Sequence, residues 1–189
     1  MTKLSSIGEF GLIRQIQKGM PRGKNVVVGI GDDTAVMEGK RGEYLLYTTD
    51  LLIEGRHFER RAAPELIGRK ALACSISDIA AMRGEPTYAV VSLGVSSSRP
   101  VAYVTKMYDG MKRLARQFGV SIVGGDTVKS SSTIINVALL GRVEKKYCVT
   151  RCGAKAGDEI FVTGRLGGSL KSGRHLTFTP RVKEARYLV

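Results

Sequence analysis

Hydrophobic and polar residues alternate along the chain in blocks that predict helices and strands in turn. Two stretches, residues 64–82 and 101–118, place apolar residues at three- and four-residue steps, which is typical of helices packed on a core. A shorter helix is predicted before Gly19. Runs of β-branched and other apolar residues predict strands at residues 26–30, 44–48, 88–95, 120–123, 133–143 and 160–163. Helices and strands in this order predict an α/β fold.

The composition is that of an ordinary globular protein. The chain has 189 residues, of which 43% are hydrophobic and 25% are charged. No apolar run approaches the roughly 20 residues that a membrane-spanning helix needs, and the first residues lack the apolar core of a signal peptide. Three cysteines are too few, and too odd in number, for the disulfide framework of a secreted domain. We therefore expect a cytoplasmic protein that does not contact a membrane.

The net charge of +13 indicates an anionic partner. Nucleotides, phosphorylated metabolites and nucleic acid all satisfy this requirement. After residue 164 the chain becomes rich in glycine and basic residues and poor in large apolar groups. We therefore predict one folded domain at residues 1–164, followed at residues 165–189 by a basic linker and the start of a further domain.

Several of the predicted strands are followed by aspartates. Asp32 and Asp33 lie in a glycine-rich turn after the first strand, Asp50 follows the second, and Asp126 follows a glycine pair. Asp78 lies in an apolar part of a helix, where a carboxylate needs a cation or hydrogen-bond donors. Glycines let the backbone approach a bulky anion, and a hard cation such as Mg²⁺ joins carboxylates to phosphates. The pattern suggests a metal site for a nucleoside triphosphate, although aspartates are also common in turns and helix caps.

Five motifs, in this order, resemble those of the thiamine-monophosphate kinase family, whose superfamily includes aminoimidazole ribonucleotide synthetase. They span the chain from residue 6 to about residue 164. The motifs are Gly8-Glu9-Phe10, Gly29-Ile30-Gly31-Asp32-Asp33, Thr48-Thr49-Asp50 with Glu54-Gly55-Arg56-His57-Phe58, Ser77-Asp78-Ile79-Ala80-Ala81-Met82, and Gly124-Gly125-Asp126-Thr127. Any one of them would be a weak signal, and their order makes the resemblance specific.

The resemblance implies a mixed β-sheet flanked by helices, with the sheets of two chains packing against each other across a homodimer interface. It also implies ATP-dependent, Mg²⁺-assisted phosphorylation of thiamine monophosphate to thiamine diphosphate by direct in-line transfer. The family has a second domain with a further acidic motif that completes the nucleotide and thiamine sites. We therefore expect this chain alone to bind ligands weakly and to have little activity.

Roles for individual residues follow from the same resemblance. The residues implied to hold Mg²⁺ are Asp33, Thr49, Asp50, Asp78 and Asp126. Those implied to lie at ATP are Thr48, Tyr108, Gly125, Asp126 and Arg151. His57 is implied to contact thiamine monophosphate, whereas Asp32 is expected to hold the turn. Two alternatives stay open: His57 is instead a loop histidine bonded to the backbone, and Tyr108 is instead part of the core.

Three other functions compete with this interpretation. The first is another enzyme of the same superfamily that acts on a phosphorylated ribonucleotide. The second is a basic nucleic-acid-binding domain, although aromatic residues make up only 6% of the chain and no recognised binding motif is present. The third is a non-catalytic dimerisation scaffold.

Overall fold

A computed structural model describes residues 3–188 of the chain, and its architecture is a mixed sheet with helices. The helices are α1 (Leu4–Gln17), α2 (Pro64–Ala81), α3 (Val101–Phe118) and α4 (Val182–Leu188). The strands are β1 (Val26–Val28), β2 (Ala35–Glu38), β3 (Glu43–Ile53), β4 (Glu85–Val95), β5 (Ser121–Lys129) and β6 (Ile134–Glu144). The predicted α/β class with a mixed sheet is confirmed.

The six strands form one sheet in the order β1-β2-β3-β6-β4-β5. All neighbouring pairs are antiparallel except β4 and β5, which are parallel and are connected through α3. β3 and β6 pair along their entire length, from Glu43 opposite Glu144 to Ile53 opposite Ile134. This long central ladder carries the Thr-Thr-Asp motif into the middle of the sheet.

The hydrophobic core lies between the sheet and α2. Alternate residues of β3, β4 and β6 are buried on one face, as the two-residue period of a strand requires. On the opposite face, the side chains of Leu45, Tyr47, Leu51, Tyr88 and Val90 are 41–54% exposed. The helices therefore cover one face of the sheet in a single chain and leave an apolar face open.

Two glycines bring α2 and α3 into close contact. A β-carbon at Gly68 of α2 would lie 1.9 Å from the carbonyl oxygen of Met107. A β-carbon at Gly110 of α3 would lie 1.8 Å from the carbonyl oxygen of Glu65. Because only glycine allows this backbone approach, the pair fixes α3 against α2, the helix that carries Asp78.

Two strand boundaries and one strand predicted from the sequence are wrong. Asp50 lies inside β3 and Asp126 inside β5, whereas both were expected beyond the end of a strand. In both cases pairing with a neighbouring strand extends the regular backbone through polar or glycine-rich sequence. Residues 160–163 are exposed and form no strand, because none of the described strands pairs with them. Strand β2 was not predicted, since four residues are too short for a clear pattern.

The segment after residue 164 returns to α2. The side chain of Val182 is buried, and Arg69 of α2 donates a 2.7 Å hydrogen bond to the carbonyl oxygen of Phe178. The division at residue 164 into a domain and the start of another stays a prediction. Among the described residues, none of the helices has both the length and the hydropathy needed to span a membrane.

Candidate functional site

Asp78 and Asp50 lie at the contact between α2 and β3. The hydroxyl of Thr48 donates a 2.7 Å hydrogen bond to Oδ2 of Asp78. The hydroxyl of Ser75, one turn before Asp78 on α2, lies 3.0 Å from Oδ2 of Asp50 and 3.1 Å from the carbonyl oxygen of Val137. The site is therefore built where one face of α2 meets the inward-facing residues of the central strand.

The two carboxyl groups have raised pKa values. Burial raises the pKa of Asp78 to about 6, the hydrogen bond from Thr48 opposes this, and the charges of Asp50 and Asp33 add to it. Burial also raises the pKa of Asp50, against the opposing effect of its hydrogen bond with Ser75. The charges of Asp50 and Asp33 therefore both act on the Asp78 carboxyl group in a partly desolvated place, where a cation would be favoured.

Asp33 lies beside them in the turn between β1 and β2. Its carboxylate forms an ion pair with the Arg151 guanidinium, and the Asp33 side chain is 24% exposed. Asp32 holds the turn: its Oδ1 accepts a 2.9 Å hydrogen bond from the Asp33 amide, and its carboxylate accepts the Arg151 amide at 3.2 and 3.3 Å. These bonds give Asp32 the supporting position that we expected.

Thr48 and Thr49 point in different directions because successive strand residues face opposite sides of the sheet. Thr48 is buried towards Asp78, whereas the hydroxyl of Thr49 accepts a 2.8 Å hydrogen bond from the amide of Asn136. Both threonines nevertheless line one cleft of about 720 Å³, together with Asp33 and Arg151. This volume lies within the usual range for a small-molecule site.

His57 lies in the loop after β3 and is tied to the backbone. Its Nδ1 accepts a 3.0 Å hydrogen bond from the Ile53 amide. The bond fixes the neutral ring in the tautomer that carries its proton on Nε2. Glu54 anchors the same loop, because its carboxylate accepts two hydrogen bonds, at 2.9 and 3.0 Å, from Arg99. The alternative in which His57 is bonded to the backbone therefore holds for its Nδ1 atom. Nε2–H remains as the ring's only donor.

Tyr108, Gly125 and Asp126 line a second cleft of about 580 Å³ at the edge of the sheet. Burial raises the pKa of Tyr108, which packs partly against the core. Gly125 has a structural reason to be glycine: a β-carbon there would lie 1.9 Å from the carbonyl oxygen of Val91. This cleft therefore combines an aromatic wall with a carboxylate at the sheet edge.

Asp126 lies apart from the other three aspartates in the single chain. Its strand neighbours are Ser92, then Asn136, then Leu51, all on the open face of the sheet. Asp50 faces the helices, three strand spacings away, which is about 14 Å. The charges of Asp33 and Asp50 act on Asp78, and metal binding by any of the four aspartates stays a prediction.

Two residues that sequence reasoning missed support the site. Ser75 holds Asp50, and Asn136 bridges the hydroxyl of Thr49 and the carbonyl oxygen of Asp50. The sequence contains a feature that could have pointed to each of these two residues. Ser75 precedes Asp78 by three residues, which places it on the same helix face, and Asn136 interrupts an otherwise apolar strand.

The side chains present fit Mg²⁺ in their chemistry. The donors around Asp78 are carboxylate and hydroxyl oxygens, the ligands that hard cations prefer, and the site has an excess of negative charge. Among residues 3–188, no three His, Cys, Asp or Glu side chains are grouped closely enough to form a metal cage. This agrees with the usual coordination of Mg²⁺, which takes one or two carboxylates and completes its shell with phosphates and water.

Fold and site together define a mixed α/β domain whose acidic centre has the oxygen donors of a metal–phosphate site. Over residues 31–143 the chain matches the family described as AIR synthase related protein, N-terminal domain. This region covers more than half of the chain and contains all four aspartates considered above. The chain belongs to this family.

Curated proteins that are similar to this chain include two thiamine-monophosphate kinases. The chain is 42% identical over 167 residues to the thiamine-monophosphate kinase of Aquifex aeolicus, covering 88% of this chain and 52% of that protein. It is 40% identical over 163 residues to the thiamine-monophosphate kinase of Bacillus subtilis, covering 85% and 50%. The chain thus spans about half the length of the relatives it matches.

Solved structures agree with this comparison. The structure described as AaThiL complexed with AMPPCP and TMP superposes with a TM-score of 0.86 at 35% identity, covering 100% of this chain and 64% of that one. The thiamine monophosphate kinase of Stenotrophomonas maltophilia has a TM-score of 0.71 at 28% identity, covering 93% and 61%. The predicted resemblance is therefore confirmed.

Proposed function

We propose that this chain forms the ATP- and Mg²⁺-binding part of a thiamine-monophosphate kinase. The complete enzyme transfers the γ-phosphoryl group of ATP to thiamine monophosphate by direct in-line displacement and yields thiamine diphosphate. The observation that carries the proposal is the partly buried carboxyl group of Asp78, on which the charges of Asp50 and Asp33 act, in a chain about 40% identical to two such kinases. We also propose that the enzyme acts in the cytoplasm, because ATP is its proposed phosphoryl donor.

Mg²⁺, when bound at these carboxylates, supplies charge neutralisation for the phosphates of ATP. Asp78 and Asp50 would hold it from the α2–β3 contact, with the hydroxyl of Thr48 beside Asp78. The hydroxyl of Thr49 lies on the other face of the sheet, so metal binding by Thr49 stays a prediction. The chain's own contribution is to keep these carboxylates close together and partly shielded from water. Without a cation, this arrangement disfavours the ionised carboxylate, and the pKa of Asp78 is therefore raised.

Arg151 has a second role in this proposal. In the chain alone its guanidinium pairs with Asp33 at a place where both are partly exposed, at 52% and 24%. A triphosphate offers the guanidinium a matching anion, and the guanidinium fork suits phosphate oxygens. Arg151 would therefore exchange Asp33 for phosphate when nucleotide binds, and Asp33 would become available to the metal.

His57 would contact the acceptor. With Nδ1 held by the Ile53 amide, its Nε2–H is a donor suited to a phosphate oxygen of thiamine monophosphate. The contact of one guanidinium nitrogen of Arg99 with both carboxylate oxygens of Glu54 holds the loop that presents the ring. Burial of Glu54 raises its pKa, but bonds from Thr133 and Arg99 outweigh this, so its pKa is lowered and it stays ionised.

The open apolar face of the sheet supports the proposed homodimer. Five large apolar side chains on β3 and β4 are 41–54% exposed there, and a second copy of the same sheet would cover them. Light scattering of the eluting protein measures the oligomeric state. A strict monomer at high concentration would count against this arrangement.

Calorimetric titration with ATP tests the proposal, with and without Mg²⁺. We expect metal-dependent binding that weakens about tenfold or more in Asp50→Asn and Asp78→Asn, because each removes a charged metal ligand. Asp109→Asn is the matched control, since Asp109 lies on the exposed side of α3. ATP binding that is independent of Mg²⁺, or equal in all three variants, would refute the metal site.

A transfer assay tests the reaction itself. The chain is extended to the full length of the relatives and incubated with ATP and thiamine monophosphate, and thiamine diphosphate is separated by chromatography. Formation of the diphosphate, with ADP released in equal amount, is the expected result. Consumption of ATP with an aminoimidazole ribonucleotide precursor instead would favour the other superfamily reaction.

A further inference from the structure

A basic cleft lies on the side of α2 next to the C-terminal segment. It has a volume of about 800 Å³, within the usual range for small-molecule sites, and residues between 161 and 181 form most of its wall. None of the described residues that line it is acidic. Its charged and titratable side chains are Lys70, Arg165, Arg174, His175 and Arg181. The cleft is therefore a concentrated positive region that the proposed kinase site does not use.

Lys70 is the most unusual of these residues because it is only 9% exposed. Its ammonium donates a 2.5 Å hydrogen bond to the carbonyl oxygen of His57 and lies 2.9 Å from Nδ1 of His175. Among residues 3–188, no carboxylate forms an ion pair with it. A buried charge without a counter-ion is costly, and burial lowers the pKa of Lys70 accordingly. The ammonium therefore lacks an anion.

His175 extends the group of donors. Because Lys70 has only hydrogens to offer, Nδ1 of His175 must accept, and the neutral ring then carries its proton on Nε2. Burial and the neighbouring Lys70 charge lower the pKa of His175 against the opposing charge of Glu59, which lies outside the cleft lining, and the ring stays neutral at pH 7. Nε2–H is consequently a donor, and the hydroxyl of Ser77 lies on the same wall of the cleft.

The arginines complete the cleft. Arg174 is exposed and donates to the carbonyl oxygen of Gly167 at 2.5 Å, which leaves its charge unneutralised. Arg181 pairs with Glu184 at 2.9 Å through one guanidinium nitrogen. We infer that this cleft binds the phosphoryl group of a small phosphorylated molecule, with Lys70, His175 and Arg174 as its donors. The cleft contains neither Arg151 nor any of the proposed metal ligands. It adjoins the proposed acceptor site, because Lys70 is hydrogen-bonded to the carbonyl oxygen of His57.

The test is calorimetric titration with inorganic phosphate in the presence of a chelator, so that no metal site contributes. The wild-type chain is expected to bind phosphate. Lys70→Met should weaken binding about tenfold or more, because charge-assisted hydrogen bonds are worth about 1.5–3 kcal/mol. Arg174→Ala, at an exposed position where folding is not at risk, should weaken it about threefold to tenfold. Lys106→Met, which removes a lysine of α3 outside the cleft, is the matched control and should bind as wild type.

Two comparisons separate this inference from the proposed function. Asp78→Asn should bind phosphate as wild type does, so that failure of the kinase site leaves the result intact. Glycerol phosphate, an ester without the thiamine group that the proposed kinase site takes, separates two sources of the phosphoryl group. Tighter, Lys70-dependent binding of glycerol phosphate than of inorganic phosphate would identify a phosphate ester as the ligand, whereas equal affinity would identify the free anion. No binding to wild type, or equal losses in Lys70→Met and Lys106→Met, would overturn the inference.

Discussion

Replacing Asp78 with asparagine should stabilise the metal-free chain at neutral pH. The carboxyl group has a pKa of about 6 in the folded chain against an ordinary value of 3.8. This difference of about 2 units corresponds to roughly 3 kcal/mol at 1.36 kcal/mol per unit. Because Asp78 is only partly buried, solvent screening reduces the value to about 1–2 kcal/mol. Asparagine has nearly the same shape, and its amide oxygen still accepts the hydrogen bond from Thr48.

Proton linkage determines whether the ionised Asp78 raises or lowers the stability of the folded chain. A carboxyl group whose folded pKa is raised binds a proton more readily when folded, so its ionisation costs stability above pH 6. That cost disappears as the pH falls through 6 towards 4. Asp78→Asn should therefore raise the unfolding temperature by about 2–8 °C at pH 7.5, and by roughly a third of that at pH 4.5.

Thermal unfolding followed by circular dichroism, with chelator present, measures this effect. Asp109→Asn, at an exposed carboxylate on α3, is the control and should shift the unfolding temperature little at either pH. In the presence of Mg²⁺-ATP the order should reverse, since the variant loses a metal ligand and with it the stabilisation by ligand. Equal destabilisation of Asp78→Asn at both pH values would refute the reasoning, because it would show that the carboxylate is not under electrostatic strain.

Three further predictions follow from the contacts. Gly125→Ala should lower the free energy of unfolding by about 1–3 kcal/mol in urea, because its β-carbon would lie 1.9 Å from a carbonyl oxygen, whereas Gly124→Ala meets only a methyl group at 3.9 Å and should cost less. Glu54→Gln should weaken binding of thiamine monophosphate in the full-length enzyme while leaving Mg²⁺-ATP binding intact, since it disrupts the pairing with Arg99. Leu51→Asp, on the open face, should shift a dimer towards monomer in light scattering without loss of helical circular dichroism; an unchanged dimer would place the interface elsewhere.

The local elements could be predicted because they depend on short-range pattern. α2 and α3 begin and end close to where apolar spacing, Pro64 and Gly119 place their ends. The acidic motifs predict which aspartates are candidate site residues, and the family resemblance implies their roles. The predicted strand ends are wrong where strand pairing continues through polar sequence. At Asp50, for example, the pairing of β3 with β6 runs through the polar motif.

What the sequence by itself determined is the α/β class, the two long helices and the set of aspartates, since each depends on residue type and spacing along the chain. Only the tertiary structure decided which aspartates meet. The two-residue period of β3 turns Asp50 towards α2 and Thr49 away from it, and the order of strands places Asp126 at the far edge of the sheet. The same folding brings Lys70 next to His175, 105 residues later in the chain. Contacts of this kind depend on which strands pair and which faces pack, and spacing along a single chain does not contain that information.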